Sequence, residues 1–489
     1  MKIWPLLSLL IWTPLGGAVL LWLLPGSRAR LVAGLSLLAT LVLALTLLLA
    51  FDPAQPGFQF VERYRWMPTL NVHILLGVDG LSVLFPLATT LAFCGTLTLS
   101  WNSVHTLPRL YYSLLLLLLS VTIGLFCSLD LILFFLFWEL TLVPLYFLTS
   151  LWGVGPNRRH AASKYTFLML AGGVPLLFGF LLLAFNHAEF AGSLAFDLPT
   201  LLTTPIPDRT ETVVFLLLLA GFAVKTPVFP LHTWLLVMAS EAPVSVTALL
   251  VGLKLGAYGL IRIAVPLAPD AAVSLHWLLA GMGTLGLLYG ALGALAQTNL
   301  RRMLAYASLS HVGLVLLGIS AYTLQGIQGA LLQLLNFTLI ASAGMLLCGS
   351  LLQRTGTTEM DSLGGVATTM PQLAAFLLLF GLAGLGLPGT STFPAELMIL
   401  LAALKTHTGA GLAALAGIVL STAAFLDAYR RTCFGPIRHD AVALAHDLLP
   451  RERLYFALTA LLVLLIGLQP DLILDTLRPA AENWLQRLK

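Results

Sequence analysis

Runs of about 20 apolar residues recur along almost the whole chain, and no other feature limits the fold as strongly. A helix needs about that length to cross a bilayer, where every backbone N–H and C=O group must be hydrogen-bonded within the protein. Hydrophobic residues make up 59% of the 489 residues and charged residues only 9%. The sequence therefore predicts an all-α polytopic membrane protein with about fourteen transmembrane helices.

Two of the apolar runs share an internal pattern. The stretches LLAGFAVKTPVFPLHTWL (218–235) and LFGLAGLGLPGTSTFPAELM (379–398) each carry a proline in mid-run and a second proline soon after it. Such breaks are tolerated at membrane depth only where protein or water satisfies the freed backbone groups. Interrupted helices at corresponding places in two halves are typical of transporters built from inverted repeats. We therefore expect broken helices near Pro227 and Pro388.

The distribution of arginines predicts the orientation of the chain, because inner loops carry an excess of Lys and Arg. With the N-terminus outside and an even number of spans, both termini lie outside. Arg262 is an exception to this pattern. The arginines that fall in inner loops are Arg28, Arg30, Arg158, Arg159, Arg301, Arg302, Arg430, Arg431, Arg438, Arg451 and Arg453.

Several ionisable side chains fall inside the apolar runs, where a charge costs at least about 2.5–3.5 kcal/mol and needs a partner or a function. They suggest a polar axis for proton transfer, because burial weakens a lysine's hold on its proton and a nearby carboxylate restores it. A static ion pair of Glu139 with Lys225 and a plain core histidine at His311 are the structural alternatives. Asp427 lies close to Arg430 and Arg431, which favours an interfacial ion pair there. The set is Glu139, Lys225, Lys254, His311, Glu396 and Asp427.

Other chemistries find little support in the sequence. Residues 384–389, GLGLPG, fit the dinucleotide fingerprint GxGxxG, but they lie inside a membrane span and not in a βαβ unit. The four cysteines stand singly and form no metal-binding spacing. A net charge of +4 suggests no nucleic-acid surface. We expect no metal, no cofactor and no electron carrier in this chain.

Seven stretches between residues 75 and 435 carry a more specific pattern: LLGVDGLSVLF (75–85), FWELTLVPLYFL (137–148), RRHAASKYTFLMLAGG (158–173), GFAVKTPVFPLHTWL (221–235), APVSVTALLVGLKLGAYGLIR (242–262), RRMLAYASLSHVGLVLLG (301–318) and GLPGTSTFPAELMIL (386–400). In this order they resemble the antiporter-like subunits of respiratory complex I. Their nearest likeness is to the branch called subunit M in bacteria and subunit 4 in mitochondria, together with its counterpart in cyanobacteria and chloroplasts.

The resemblance implies a division of the chain and a function. It implies N-terminal transmembrane helices over 1–111, two inverted five-helix repeats over 112–265 and 274–433, and a C-terminal loop with the last helix over 434–489. It also implies that the chain translocates protons as part of a quinone oxidoreductase in a bacterial inner membrane or a cyanobacterial thylakoid membrane. The partners would be other membrane-arm subunits and a peripheral iron–sulfur arm. Quinone, iron–sulfur clusters and NAD(P)H or ferredoxin would belong to those partners.

The resemblance also gives roles to single residues. It implies that Glu139 pairs with Lys225 and that Lys254 continues the proton path. His311 would be a polar link between the two halves, and Glu396 would be the terminal site. Related cation-antiporter subunits tend to carry lysine at the position of Glu396.

Two departures from the family pattern keep alternatives open. Leu236-Val237-Met238-Ala239 replaces the usual Pro-Asp-Ala-His, and Phe337, next to Asn336, replaces a histidine. Such divergence is also typical of cyanobacterial complexes for carbon dioxide uptake, in which the path would remove protons from carbon dioxide hydration. A further alternative is a subunit of a sodium/proton antiporter without a redox arm, against which Glu396 argues mildly.

Overall fold

The computed structural model describes residues 5–488, so positions 1–4 and 489 of the predicted terminal segments lie outside it. Within that range, ten helices are long and apolar enough to cross a bilayer, or eleven if the bent pair Pro450–Leu468 and Asp471–Gln486 counts as one span. The ten are Leu6–Leu23, Gly26–Ala50, Pro108–Cys127, Leu131–Trp152, Arg158–Ala191, Val244–Leu267, His276–Leu295, Leu300–Ser320, Leu324–Thr355 and Thr408–Cys433. The predicted polytopic helical membrane fold is confirmed.

The predicted number of fourteen spans is reached only by adding three shorter or interrupted runs to these eleven. One is the 17-residue helix Leu84–Ser100. The other two are broken helices, the pair Asp208–Lys225 and Thr233–Glu241 and the pair Pro371–Gly384 and Thr392–Thr406. Length and composition alone therefore do not establish fourteen.

Both predicted helix breaks are present. Pro227 lies between Lys225, where the first helix of its pair ends, and Thr233, where the second begins. Pro388 lies between Gly384 and Thr392 in the same way. Proline cannot donate a backbone hydrogen bond, and its ring clashes with the preceding turn, so the helix stops there.

The structure has further irregularities that the sequence pattern does not predict. The helix Val244–Gly252 ends before Lys254, whose backbone is not helical, and a new helix begins at Leu255. Five-residue π-helical turns follow at Leu260–Ala264 and, in another span, at Phe337–Ala341. Such turns are rare and are frequent at functional sites. Lys254, at the break, and Phe337, in a π-helical turn, therefore both lie at irregular points of their helices.

A small β-hairpin, Gln59–Met67 with Val72–Val78, adds to the predicted all-α architecture. Glu62 of this hairpin accepts hydrogen bonds from the backbone N–H groups of Leu7, at 2.8 Å, and Ser8, at 3.2 Å. The first N–H groups of a helix have no partner within the helix, so a carboxylate stabilises them. The hairpin therefore fixes the start of the first transmembrane helix.

Short helical turns lie in the connections between the spans. They are Gly26–Arg28, Pro68–Leu70, Leu198–Leu201, Val265–Leu267, Pro269–Ser274, Val366–Thr369 and Asp440–Ala443. Isolated β-bridges join loops on the same side of the predicted topology, for example Asp130 with Asp197 and Asn299 with Glu359. These pairings agree with alternate loops lying on opposite sides of the membrane.

Two charged positions singled out from the sequence find their explanation in the fold. Asp427 accepts a hydrogen bond from Arg430 at 2.8 Å, and both side chains are partly exposed, as expected for an interfacial ion pair. Arg262, the exception in the arginine pattern, is buried, and its Nη1 lies 2.5 Å from Oδ2 of Asp79. Arg262 is therefore a partner in a buried ion pair and not a loop charge.

Candidate functional site

Lys225 lies at the end of a broken helix and is buried, with 7% of its surface exposed. Its Nζ donates to the backbone carbonyl of Trp138 at 2.7 Å and to Oγ1 of Thr141 at 2.8 Å. It also lies 4.0 Å from the centroid of the Trp138 ring, which is close enough for a cation–π interaction. The helix Leu131–Leu140 ends just before Thr141, and this break brings both acceptors to one point.

Glu139 lies between Trp138 and Thr141 in sequence, but its carboxylate faces the helix Arg158–Ala191. It rests on Gly173, where an added Cβ would stand 2.2 Å from Oε1. Within residues 5–488, neither carboxylate oxygen has a hydrogen-bond partner, and no ion pair within 4.0 Å joins Glu139 to Lys225. The implied pair is therefore not in direct contact, because neutral acceptors on either side of Glu139 hold the ammonium group.

Lys254 occupies the unpredicted break in its span and is buried, with 4% of its surface exposed. Its Nζ donates to the carbonyl of Leu250 at 3.3 Å. The same Nζ lies 5.6 Å from the centroid of the Phe337 ring. In the described part of the chain, Lys254 contacts no carboxylate within 4.0 Å.

His311 and Glu396 form a second cluster of titratable groups. Nε2 of His311 lies 3.9 Å from Oε1 of Glu396. The carboxylate rests on Gly386, whose φ of +70° belongs to the turn after the broken helix, and an added Cβ there would stand 2.4 Å from Oε2. On the other side, the His311 ring centroid is 5.9 Å from that of Phe337. Phe337 thus contacts both Lys254 and His311.

Neutral polar side chains surround this second cluster, and a search of the sequence for ionisable residues alone misses them. A cavity beside His311 is lined by Ser308, Gln333, Asn336, Thr392 and Ser421 among apolar side chains. Asn336 donates to the carbonyl of Ser391 at 2.9 Å. Polar residues within an apolar run are the signal that could have identified them. They can hydrogen-bond to water inside the membrane span.

His232 is another buried group that the sequence pattern does not single out. Neither ring nitrogen has a hydrogen-bond partner within residues 5–488. The ring stacks on Phe229, with centroids 5.7 Å apart, and meets Tyr289 edge-on at 5.0 Å. It follows the break at Pro227 in the chain and is 3% exposed.

Four of the five predicted site residues fall into two clusters. Glu139 and Lys225 lie in the first cluster, and His311 and Glu396 form the second. Lys254 belongs to neither, and its Nζ faces the Phe337 ring at 5.6 Å from the centroid. Such an arrangement can pass a proton between groups whose protonation changes with their neighbours' charge.

Comparison with known proteins identifies the family. Residues 128–421 match the family described as "NADH:quinone oxidoreductase/Mrp antiporter, TM". The chain belongs to this family. The matched region contains all five predicted site residues.

Members of the NADH:quinone oxidoreductase/Mrp antiporter family with similar sequences match almost the full chain. The chain is 35% identical to NADH-quinone oxidoreductase subunit M of Rhodobacter capsulatus, over 98% of this chain and 96% of that protein. It is 39% identical to NAD(P)H-quinone oxidoreductase chain 4 1 of Synechococcus sp. (strain JA-3-3Ab), over 96% of this chain and 91% of that protein. The resemblance to complex I subunits M and 4 is therefore confirmed.

Two solved structures have the same fold as this chain. A chain of respiratory complex I from Thermus thermophilus with bound NADH is similar at a TM-score of 0.89 and 33% identity, covering 99% of this chain and 100% of that one. A chain of the Mrp complex from Dietzia sp. DQ12-45-1b has a TM-score of 0.86 at 23% identity and covers 100% of both chains. The second likeness shows only that the fold is shared.

Proposed function

We propose that this chain is a proton-translocating membrane subunit of a complex I-like quinone oxidoreductase. Electron transfer in a peripheral arm would drive proton movement through Glu139, Lys225, Lys254, His311 and Glu396. The observation that carries the proposal is that these ionisable groups are buried or nearly so and mostly free of ion pairing in the described structure, and that all of them except His311 lie in or near helix breaks. Groups with a purely structural role in a membrane are normally paired.

Lys225 would alternate between two environments during proton transfer. It now donates to Trp138 and Thr141, while the carboxylate of Glu139 stands apart. Approach of Glu139 would favour the charged ammonium form, and its withdrawal would favour release of the proton. An arginine could not serve here, because it keeps its proton.

Lys254 and His311 would carry the proton to the second cluster. Both contact Phe337 and make no hydrogen bond to each other, so water must complete the connection. Glu396 would receive the proton through His311, since a gap of 3.9 Å closes with a small change of rotamer. The cavity lined by Gln333, Asn336 and Thr392 offers polar groups for that water.

The electron-transfer chemistry would lie in other subunits. Within residues 5–488, no group of three or more His, Cys, Asp or Glu side chains could hold a metal ion. We propose that quinone, iron–sulfur clusters and NAD(P)H or ferredoxin are bound by partner subunits. The enzyme activity would then belong to the whole assembly, and this chain would supply its proton path across the membrane.

The test is Lys225→Met in the intact assembly, reconstituted into vesicles. We expect the variant to assemble and to lose proton pumping, measured with a pH-sensitive dye during quinone reduction. Lys405→Met is a matched control, because Lys405 is exposed at the end of its helix, and it should pump as the unmodified protein does. Normal pumping by Lys225→Met would overturn the proposal.

Mass spectrometry of the proteins that copurify with this chain in mild detergent tests the choice of assembly. Iron–sulfur proteins and quinone-site subunits are the expected result. An added carbonic-anhydrase-like subunit would indicate the carbon dioxide-uptake form. Small cation-antiporter subunits without any redox protein, together with redox-independent sodium/proton exchange in vesicles, would contradict the proposal.

A further inference from the structure

The C-terminal helix Asp471–Gln486 closes a cavity that has no part in the proton path. After a 66° bend from the preceding helix, it packs against Leu324–Asn336. Nε1 of Trp484 donates to the carbonyl of Ile261 at 2.7 Å. The cavity measures about 170 Å³ and lies on the side of the membrane that the arginine pattern assigns to the outside.

One wall of this cavity is Arg262, whose hydrogen-bonding capacity is only partly used. Its side chain is 5% exposed, and Nη1 binds Asp79 at 2.5 Å. Nε and Nη2 are buried and have no acceptor within residues 5–488. A guanidinium carries five N–H donors, and leaving buried donors without an acceptor costs about 1–3 kcal/mol. The cavity therefore contains donors that require an acceptor.

The remaining walls favour a negatively charged acceptor. Arg487 and Asn483 line the same cavity and supply a second cation and an amide. Two arginines against the single carboxylate of Asp79 leave the walls with an excess of one positive charge. The planar guanidinium matches the geometry of phosphate and carboxylate oxygens and can bind two of them at once.

Apolar side chains complete the cavity and narrow the class of ligand. Leu198, Leu202 and Pro266 lie beside the charged groups, and the guanidinium carbon of Arg262 is 4.7 Å from the Phe58 ring centroid. Such walls suit an anion that carries an apolar or glycerol portion. Since the cavity lies at the outer end of the span Val244–Leu267, an outer-leaflet headgroup is a near source.

We propose that this cavity binds a phosphate group, carried by the headgroup of an anionic phospholipid or present as the free ion. Nε and Nη2 of Arg262 and the side chains of Arg487 and Asn483 would donate to its oxygens. The bound phosphate would hold the C-terminal helix against Val244–Leu267. The proposal does not depend on the proton-translocating function, because none of the proposed proton-path residues lines this cavity.

The experiment uses the intact assembly, purified in mild detergent and stripped of lipid. Phosphatidylglycerol, phosphatidylcholine and inorganic phosphate are titrated separately, and the thermal unfolding of this chain is followed at each concentration. We expect phosphatidylglycerol to raise Tm by about 2–3 °C at a hundredfold excess over its Kd, since a ligand that binds only the folded state stabilises it. Phosphatidylcholine should have a smaller effect, because it carries no net negative charge.

Arg487→Gln is the test variant, because Arg262 cannot be removed without leaving Asp79 unpaired and buried. We expect this variant to bind about tenfold more weakly, as loss of one charged hydrogen-bond donor implies. Arg478→Gln is the matched control, in the helix Asp471–Gln486 that ends just before Arg487. Arg478 is 64% exposed, is already paired with Glu482 at 2.9 Å, and does not line the cavity, so its variant should bind normally.

The outcomes separate the two sources of phosphate. A shift with phosphatidylglycerol alone that depends on Arg487 assigns the site to lipid, and an equal shift with inorganic phosphate assigns it to the free ion. Native mass spectrometry should find the corresponding mass on the unmodified assembly and less of it on Arg487→Gln. No shift with either ligand, or equal shifts in Arg487→Gln and Arg478→Gln, would overturn the proposal and leave Arg262 hydrated by water only.

Discussion

The two titratable clusters place a carboxylate in the same kind of site but differ in what faces it. Glu139 rests on Gly173 and Glu396 rests on Gly386, each in a space that any side chain would fill. In the first cluster the cation is held by neutral acceptors, and the carboxylate stands alone. In the second cluster the carboxylate approaches His311 to 3.9 Å.

This difference suggests that the two clusters work at different stages. The first keeps the carboxyl group of Glu139 away from the amine of Lys225, although a carboxylate without a partner is unfavourable in a membrane interior. The second keeps a possible donor and acceptor close together. Under the proposed function, the first cluster would exchange its proton only when Glu139 and Lys225 approach each other, whereas the second cluster is already arranged for transfer.

The strongest test of this comparison is to neutralise each carboxylate in turn. We expect Glu139→Gln and Glu396→Gln each to lower proton pumping about 100-fold, the scale on which a positioned acid or base contributes. Pumping per quinone reduced, measured in vesicles, is the readout. If one variant pumps normally while the other does not, the clusters do not act in series.

A smaller effect is expected from Thr141→Val, which removes one acceptor of Lys225 while keeping the shape of the side chain. Loss of a hydrogen bond to a charged group costs about 1 kcal/mol after partial replacement by water, so the rate of proton pumping should fall about fivefold. Thr90→Val is the control, since Thr90 is buried and donates only to Pro86 in the described structure. Equal effects of the two substitutions would show that Thr141 has no special relation to Lys225.

The connection between the clusters is tested by Phe337→His. A titratable ring would replace the apolar ring that touches both Lys254 and His311. We expect passive proton leak, measured in vesicles without substrate, to rise about two- to threefold, because an imidazole can relay protons near neutral pH. Phe337→Leu keeps the position apolar and should not raise the leak. An unchanged leak in Phe337→His would mean that Phe337 does not separate the two groups.

The smallest effect is expected on stability, from Trp484→Phe. The substitution removes the hydrogen bond to Ile261 and leaves a buried carbonyl without its donor. A loss of about 1 kcal/mol should lower Tm of the chain by about 1 °C. Trp22→Phe is a control, because Trp22 is 58% exposed on a transmembrane helix. A Tm drop no larger than that of the control would show that this bond does not stabilise the chain.

Sequence reasoning succeeds here where the signal is local. A mid-run proline that is followed closely by a second proline marks the breaks at Pro227 and Pro388, whereas the single prolines Pro14 and Pro175 stay inside continuous helices. Charged residues in apolar runs are equally visible, which is why Lys225 and Glu396 are found. The neighbouring Arg430 likewise makes the ion pair of Asp427 predictable from the sequence.

It fails where contacts between distant helices decide the structure. The break at Lys254 has no proline, and nothing near it in sequence indicates that its ammonium would face the Phe337 ring. The glycines that accommodate the carboxylates lie on other elements, with Gly173 34 positions from Glu139. Arg262 looks like an exposed charge until the fold brings Asp79, 183 positions away, to its side.

The hydrogen bonds between distant spans limit how the molecule can move. Arg301 donates to the carbonyls of Ser240, at 3.2 Å, and Ala242, at 2.6 Å, on one side of the membrane, and Trp484 holds Ile261 on the other. These bonds join the helix Leu300–Ser320 to the end of Thr233–Glu241 near one face, and the C-terminal helix to the span Val244–Leu267 near the other, so each pair resists sliding. A proton path built from such restrained spans would then work by side-chain rotation and the arrival of water rather than by rigid-body swings of its halves.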